Sequence, residues 1–132
     1  MPGIQRMLER GIAEGIRLFN AGKFFEAHEA LEAVWLKAKG PRKTFLHGLI
    51  QVAAAFHHHS HGNPAGFRSL LEKGCAKLEG FGAEVEGINL AGFFKELQPW
   101  RELAAGSAAG APAARSFPQI QLVSDRASDP AK

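Results

Sequence analysis

Apolar residues recur along this chain at steps of three and four, the signature of amphipathic helices, and hardly ever in strict alternation. From Ile4 to about Ala21 the positions Leu8, Ile12, Ile16 and Phe19 fall on one face, and Asn20-Ala21-Gly22 supplies a stop. A second helix is predicted from about Lys23 to Lys39, ended by Gly40-Pro41, with two lysines where the helix dipole favours positive charge. A third is predicted from about Lys43 to Ser60, with Phe45, Leu49, Val52 and Phe56 on its apolar face. Asn63-Pro64 reads as an N-cap followed by a first-turn proline, opening a fourth helix to Leu78 with Phe67, Leu70, Leu71, Cys75 and Leu78 inward. Asn89 caps a short fifth helix, Leu90 to about Leu97, after which Pro99 restarts or kinks the chain and Trp100 and Leu103 pack back. The predicted fold is all-α: a small antiparallel bundle of four to five helices over residues 1–103.

Residues 104–132 have a different character. The Ala-, Gly- and Ser-rich run from Ala104 is predicted to be a flexible linker, and Phe117 to Val123 alternates in a way that suits an extended, loosely docked tail.

The central chemical feature lies in Phe24-Phe25-Glu26-Ala27-His28-Glu29-Ala30-Leu31-Glu32-Ala33-Val34-Trp35. At about 100° per residue, Phe24, Leu31 and Trp35 lie within roughly 60° of His28, so the imidazole is predicted to sit in the apolar stripe. Glu32, one turn on and about 40° away, can pair with it. A histidine and a carboxylate in such a seam are expected to be largely buried and hydrogen-bonded, paired or ligated. The third helix carries a matching stripe of His47, Gln51, Ala54, Ala55 and His58. If the second and third helices pack antiparallel, His28, Glu29 and Glu32 face Gln51 and His58. This cluster is open to two interpretations. In one, Glu32 and Gln51 complete a buried network around His28. In the other, His28, Glu32 and His58 hold zinc or another divalent transition metal. The pattern contains neither His-Glu-x-x-His nor the paired Glu-x-x-His units of a di-iron bundle.

Composition narrows the classes. With 132 residues, 45% hydrophobic and 22% charged, the chain has the material for one domain with a real core. No apolar run reaches the roughly 18–20 residues of a membrane span, and no signal-peptide pattern follows Met1. The single Cys75 excludes an internal disulfide framework, so a cytoplasmic setting is expected. A net charge of +3, with one basic concentration at Lys37, Lys39, Arg42 and Lys43 around the Gly40-Pro41 turn, argues against a nucleic-acid partner. The run His57-His58-His59-Ser60-His61 spreads round its helix, so it cannot serve one site as a whole.

Two segments also carry a family resemblance. The first is Gly15-Ile16-Arg17-Leu18-Phe19-Asn20-Ala21-Gly22-Lys23-Phe24-Phe25-Glu26-Ala27-His28-Glu29-Ala30-Leu31-Glu32 with Trp35. The second is Gly48-Leu49-Ile50-Gln51-Val52-Ala53-Ala54-Ala55-Phe56-His57-His58, then Gly62-Asn63 and Leu70-Leu71. Together, over roughly residues 12–80, they resemble the prokaryotic "domain of unknown function 309" family. The resemblance implies a small helical domain whose polar motif residues meet between helices, and it implies no activity. His47 stands where that family is expected to carry glutamine, so no ligand role is assigned to it. The Gly-Lys-Phe-Phe-Glu-Ala-His-Glu-Ala-Leu run also looks like a tetratricopeptide hairpin, but the repeat of about 34 residues does not recur. Three classes of function are therefore carried forward. They are a binding or scaffold module, a metal-dependent enzyme (a hydrolase among them) using His28 and Glu32, and a homo-oligomer formed through the alanine-rich stripe.

Overall fold

The structure is a computed structural model that describes residues 2–106 and 117–123. Five α-helices dominate it: α1 (Pro2–Asn20), α2 (Phe24–Trp35), α3 (Gly40–Ser60), α4 (Pro64–Leu78) and α5 (Leu90–Ala104). The fold is all-α, as its periodicity predicts, with one small addition. A 3-10 turn (Glu79–Phe81) leads into a two-stranded hairpin of β1 (Glu84–Val85) and β2 (Ile88–Asn89). The chain divides into two compact units, Met1–Glu79 and Gly80–Lys132.

In the first unit each helix packs on the next, α1 on α2, α2 on α3 and α3 on α4. The apolar stripes read from sequence for α3 and α4 are buried, save the half-buried Leu70, as are Ile12, Ile16 and Phe19 of α1. Helix α2 instead buries Ala27 and Val34 beside Phe24 and Leu31, and leaves His28 and Trp35 half-buried. Among the core residues, Ile12, Ile16 and Phe19 come from α1, Phe24, Ala27, Leu31 and Val34 from α2, Phe45, Leu49, Val52 and Phe56 from α3, and Phe67, Leu71, Cys75 and Leu78 from α4. Four phenylalanines, one from each helix, meet at one point. Phe56 has ring centroids 6.0 Å from Phe19, 5.5 Å from Phe24 and 5.5 Å from Phe67. At the α3–α4 crossing the two backbones come unusually close, because Gly48 faces Gly74. A methyl group on Gly74 would sit 2.8 Å from the Gly48 carbonyl oxygen and 2.8 Å from Val52 Cγ2.

Two boundaries differ from the periodic reading. Helix α2 stops at Trp35, where Leu36, Lys37 and Ala38 turn back on carbonyls of Glu32, Val34 and Trp35. Gly40-Pro41 opens α3 instead of merely ending α2. Proline belongs in a first helical turn, where its missing N–H is not needed, and Lys39 enters extended as the N-cap. Asn63 behaves as expected, its Oδ1 accepting the Gly66 N–H at 3.0 Å.

The second unit is built on the hairpin and α5. Glu86 and Gly87 both have positive φ, 53° and 78°, the two-residue type I′ geometry that suits a right-twisted hairpin. Helix α5 is longer than predicted and runs through Pro99 to Ala104, with Leu90, Phe93, Leu97 and Trp100 buried. Phe117–Val123 lies beside β2, where Ile88 and Leu122 form an antiparallel bridge. The stretch expected to be a linker falls, over residues 107–116, outside the described residues.

Candidate functional site

A cleft of about 240 Å³ opens in the first unit where α2, α3 and α4 meet. Its walls are His28, Glu32 and Trp35 from α2, His47, Ile50, Gln51 and Ala54 from α3, and Leu70 from α4. Helical spacing explains the set, since 28, 32 and 35 share one face of α2 while 47, 50, 51 and 54 share one face of α3.

The structure thus brings together His28, Glu32 and Gln51, three of the five residues singled out in the sequence. It does not bring in Glu29, which is solvent-exposed on another face of α2. His58 is also elsewhere, its Nδ1 accepting a hydrogen bond from Asn63 Nδ2 at 3.1 Å in the α3–α4 turn. Seven residues after Gln51, two turns of α3 have carried His58 past the end of the cleft. Among the described residues no three His, Cys, Asp or Glu side chains stand close enough to hold a metal ion. The set His28, Glu32 and His58 is therefore not assembled.

Burial also departs from expectation. His28 is half-buried and Glu32 is exposed, because the buried α2 stripe runs through Phe24, Ala27, Leu31 and Val34, which puts His28 at its edge and Glu32 beyond it. No hydrogen bond joins His28 to Glu32 or to Gln51 among the described residues. The side-chain Oε1 of Gln51 instead accepts from Lys77 Nζ of α4 at 3.0 Å, which leaves the side-chain –NH₂ of Gln51 as a donor. The Nδ1 atom of His28 is buried and has no hydrogen-bond partner. Glu32→Ala is accordingly expected to leave stability within about 0.5 kcal/mol of wild type, the range of a surface change. A denaturation midpoint shifted by more than that would show an interaction of Glu32 beyond its exposed position.

Two wall residues were not assigned a role in the sequence reading. Trp35 forms an aromatic wall, with its ring centroid 5.5 Å from His47 and Lys43 Nζ 4.5 Å over its face. His47 is held below the ordinary histidine pKa, first by partial burial and then by the positive charge of Lys77. Its helical spacing places it on the Gln51 stripe in the sequence already, and only the glutamine expected at that position kept a role from being assigned.

A second group of imidazoles lies on the same side of α3. His57 and His61 have ring centroids 4.3 Å apart, and Phe25 lies 5.3 Å from His57 and 5.8 Å from His28. The His61 Nδ1–H donates to the His57 carbonyl at 2.9 Å. His57 is also shifted down, by burial first and then by the neighbouring imidazoles His61, His58 and His28, with Glu26 opposing. A histidine whose pKa is lowered in the fold contributes stability while neutral. That contribution is complete above the unfolded value of about 6.5 and is lost as pH falls through the lowered folded value. The midpoint of unfolding is therefore expected to fall between pH 7 and pH 5, and to fall less in the double variant His47→Gln/His57→Gln. An identical pH profile in that variant would mean that these two rings do not carry the effect.

Known proteins share this helical region. The chain is 38% identical to a conserved hypothetical protein of known structure from Thermus thermophilus, with a TM-score of 0.58 over 70% of this chain and 94% of that one. It is 34% identical over 89 residues to an uncharacterized protein of Aquifex aeolicus (strain VF5), matching 67% of this chain and 26% of that protein. It is 38% identical over 69 residues to the uncharacterized protein YpuF of Bacillus subtilis (strain 168), matching 51% of this chain and 39% of that protein. The chain thus spans well under half the length of these two curated relatives. No helix among the described residues is long and apolar enough to cross a membrane. The family model for Domain of unknown function (DUF309) matches residues 12–70, which include α2, α3 and every residue of the cleft, and the chain belongs to that family.

Proposed function

We propose that the first unit is a binding module whose ligand seat is the cleft between α2, α3 and α4. One observation carries the reading: His28 lines this cleft, and its Nδ1 is buried without a hydrogen-bond partner. Leaving such an atom unsatisfied costs about 1–3 kcal/mol, a cost that a bound polar group would remove once a turn of the half-buried ring presents the atom to the cleft. The rest of the wall suits a small ligand with a flat face and a polar edge. Trp35 and His47 offer aromatic faces, Ile50, Ala54 and Leu70 offer apolar contact, and Gln51 and His28 offer hydrogen bonds. At about 240 Å³ the space fits a small molecule or a single side chain of a partner.

The test is a fragment screen of small planar heteroaromatic amides, followed by NMR on the Trp35 indole N–H and the backbone amides of α3. Hits are expected to move Trp35, His47 and Gln51, leave Trp100 unmoved, and lose affinity at least tenfold in Ala54→Trp, which fills the cleft. Fragments that bind equally well to Ala54→Trp would contradict the reading.

A further inference from the structure

The C-terminal stretch of the second unit makes a contact that resembles a bound peptide more than a core strand. Burial from Pro118 to Gln121 alternates strictly, Pro118 and Ile120 inward and Gln119 and Gln121 outward, with Leu122 half-buried. That is the period of an extended segment lying on a surface. Its backbone joins the free edge of β2, where Asn89 N–H donates to the Gln121 carbonyl at 2.8 Å and Val123 N–H donates to the Gly87 carbonyl at 2.7 Å. At the other end Phe117 stacks flat on Trp100, centroids 5.2 Å apart, and the Gln119 N–H donates to the Glu96 carboxylate at 3.2 Å.

The seat has hydrogen bonding of its own, independent of this stretch. The hairpin pairs β1 with β2, the Asn89 side chain caps α5 by accepting the Gly92 N–H, and Ala91 N–H donates to the Ala83 carbonyl. Nor is the seat filled: a cleft of about 140 Å³ remains beside Gln119 and Gln121, floored by Phe93 and Glu96. An unpaired strand edge with an aromatic platform at one end is a recurring peptide-recognition surface.

We propose that the second unit is a strand-accepting peptide site and that Phe117–Val123 occupies it as a built-in competitor. The partner it fits is an extended segment with an aromatic residue at one end and an aliphatic residue three positions on, which adds to β2 antiparallel and displaces the chain's own stretch. Specificity lies in the Trp100 platform and the seat of Ile120, while the backbone hydrogen bonds require only a non-proline residue at Gln119 and Val123, whose N–H groups donate, and a carbonyl at Gln121.

The experiment keeps every native residue of the seat. A protease recognition sequence is placed between Gly106 and Phe117 of the full chain, and the purified protein is cleaved there. A fluorescent peptide of the sequence Ser116 to Ser124 is then added and followed by anisotropy. The expected result is saturable binding of the peptide with release of the resident fragment. A peptide carrying Phe117→Ala and Ile120→Asp is expected to bind at least tenfold more weakly. In the uncleaved chain the same peptide is expected to bind at least tenfold more weakly than in the cleaved one, because the tethered segment competes. Two results overturn the proposal. One is a cleaved protein that keeps its fragment and excludes the peptide. The other is loss of helical content on cleavage, which would make Phe117–Val123 a core strand.

Discussion

Replacing Phe56 by alanine is expected to cost the first unit about 3–5 kcal/mol, the upper range for a buried aromatic. The ring is fully buried and touches a phenylalanine from each of the three other helices, Phe19 of α1, Phe24 of α2 and Phe67 of α4. Its removal opens a cavity that no single helix can close, since each neighbour is held by its own stripe. The measurement is urea unfolding followed by far-ultraviolet circular dichroism, with Phe56→Leu expected to lose clearly less. A loss below about 1.5 kcal/mol for Phe56→Ala would mean that the four helices are not fastened at this point.

The second large effect is expected from Gly74→Ala. Alanine usually favours a helix over glycine, by about 1 kcal/mol, so a sequence-based rule predicts stabilisation. Here the added methyl would meet the Gly48 carbonyl oxygen and Val52 Cγ2, both at 2.8 Å, and must push α3 and α4 apart. Overpacking of this kind costs about 1–3 kcal/mol, and because backbone is one of the contacts the upper end is expected. Gly80→Ala is the matched control, because nothing lies within 4 Å of its added methyl. Stability lost at Gly74 and retained at Gly80 confirms the close crossing. Equal effects at the two positions would remove it.

How much of this was legible follows from what each element depends on. The α1 to α4 stripes were readable because each helix buries one face, so Ile12, Leu31, Phe56 and Leu71 announce themselves by spacing alone. The α3–α4 cap at Asn63-Pro64 was readable because its chemistry is local. The α2–α3 boundary was misplaced because Pro41 serves a helix start as well as a stop, and local residues do not decide between them. The hairpin at Glu86-Gly87 was missed because two-residue strands carry no periodicity, and a glutamate with positive φ is uncommon.

For the site, the helix wheel placed His28 and Gln51 on facing stripes but could not say where along α3 the cleft ends. It therefore included His58, while His47, on the same stripe, was set aside only because glutamine is expected there in the family the chain resembles. Nor could the wheel show that Lys77 of α4 occupies the side-chain Oε1 of Gln51, since that contact joins residues far apart in sequence. Glu32 was misjudged because the wheel was centred on His28, whereas the buried face of α2 is centred toward Ala27 and Val34 and leaves Glu32 in solvent.

The most direct test of the cleft as a ligand seat is nitrogen-15 NMR of the histidine side chains, with and without the strongest planar fragment from the screen. The account predicts that the His28 Nδ1 resonance shifts as the atom gains a hydrogen-bond partner, that the His47 ring and Trp35 indole resonances move with it, and that His58 stays in place. A saturating fragment that leaves His28 Nδ1 unmoved while signals elsewhere shift would contradict it.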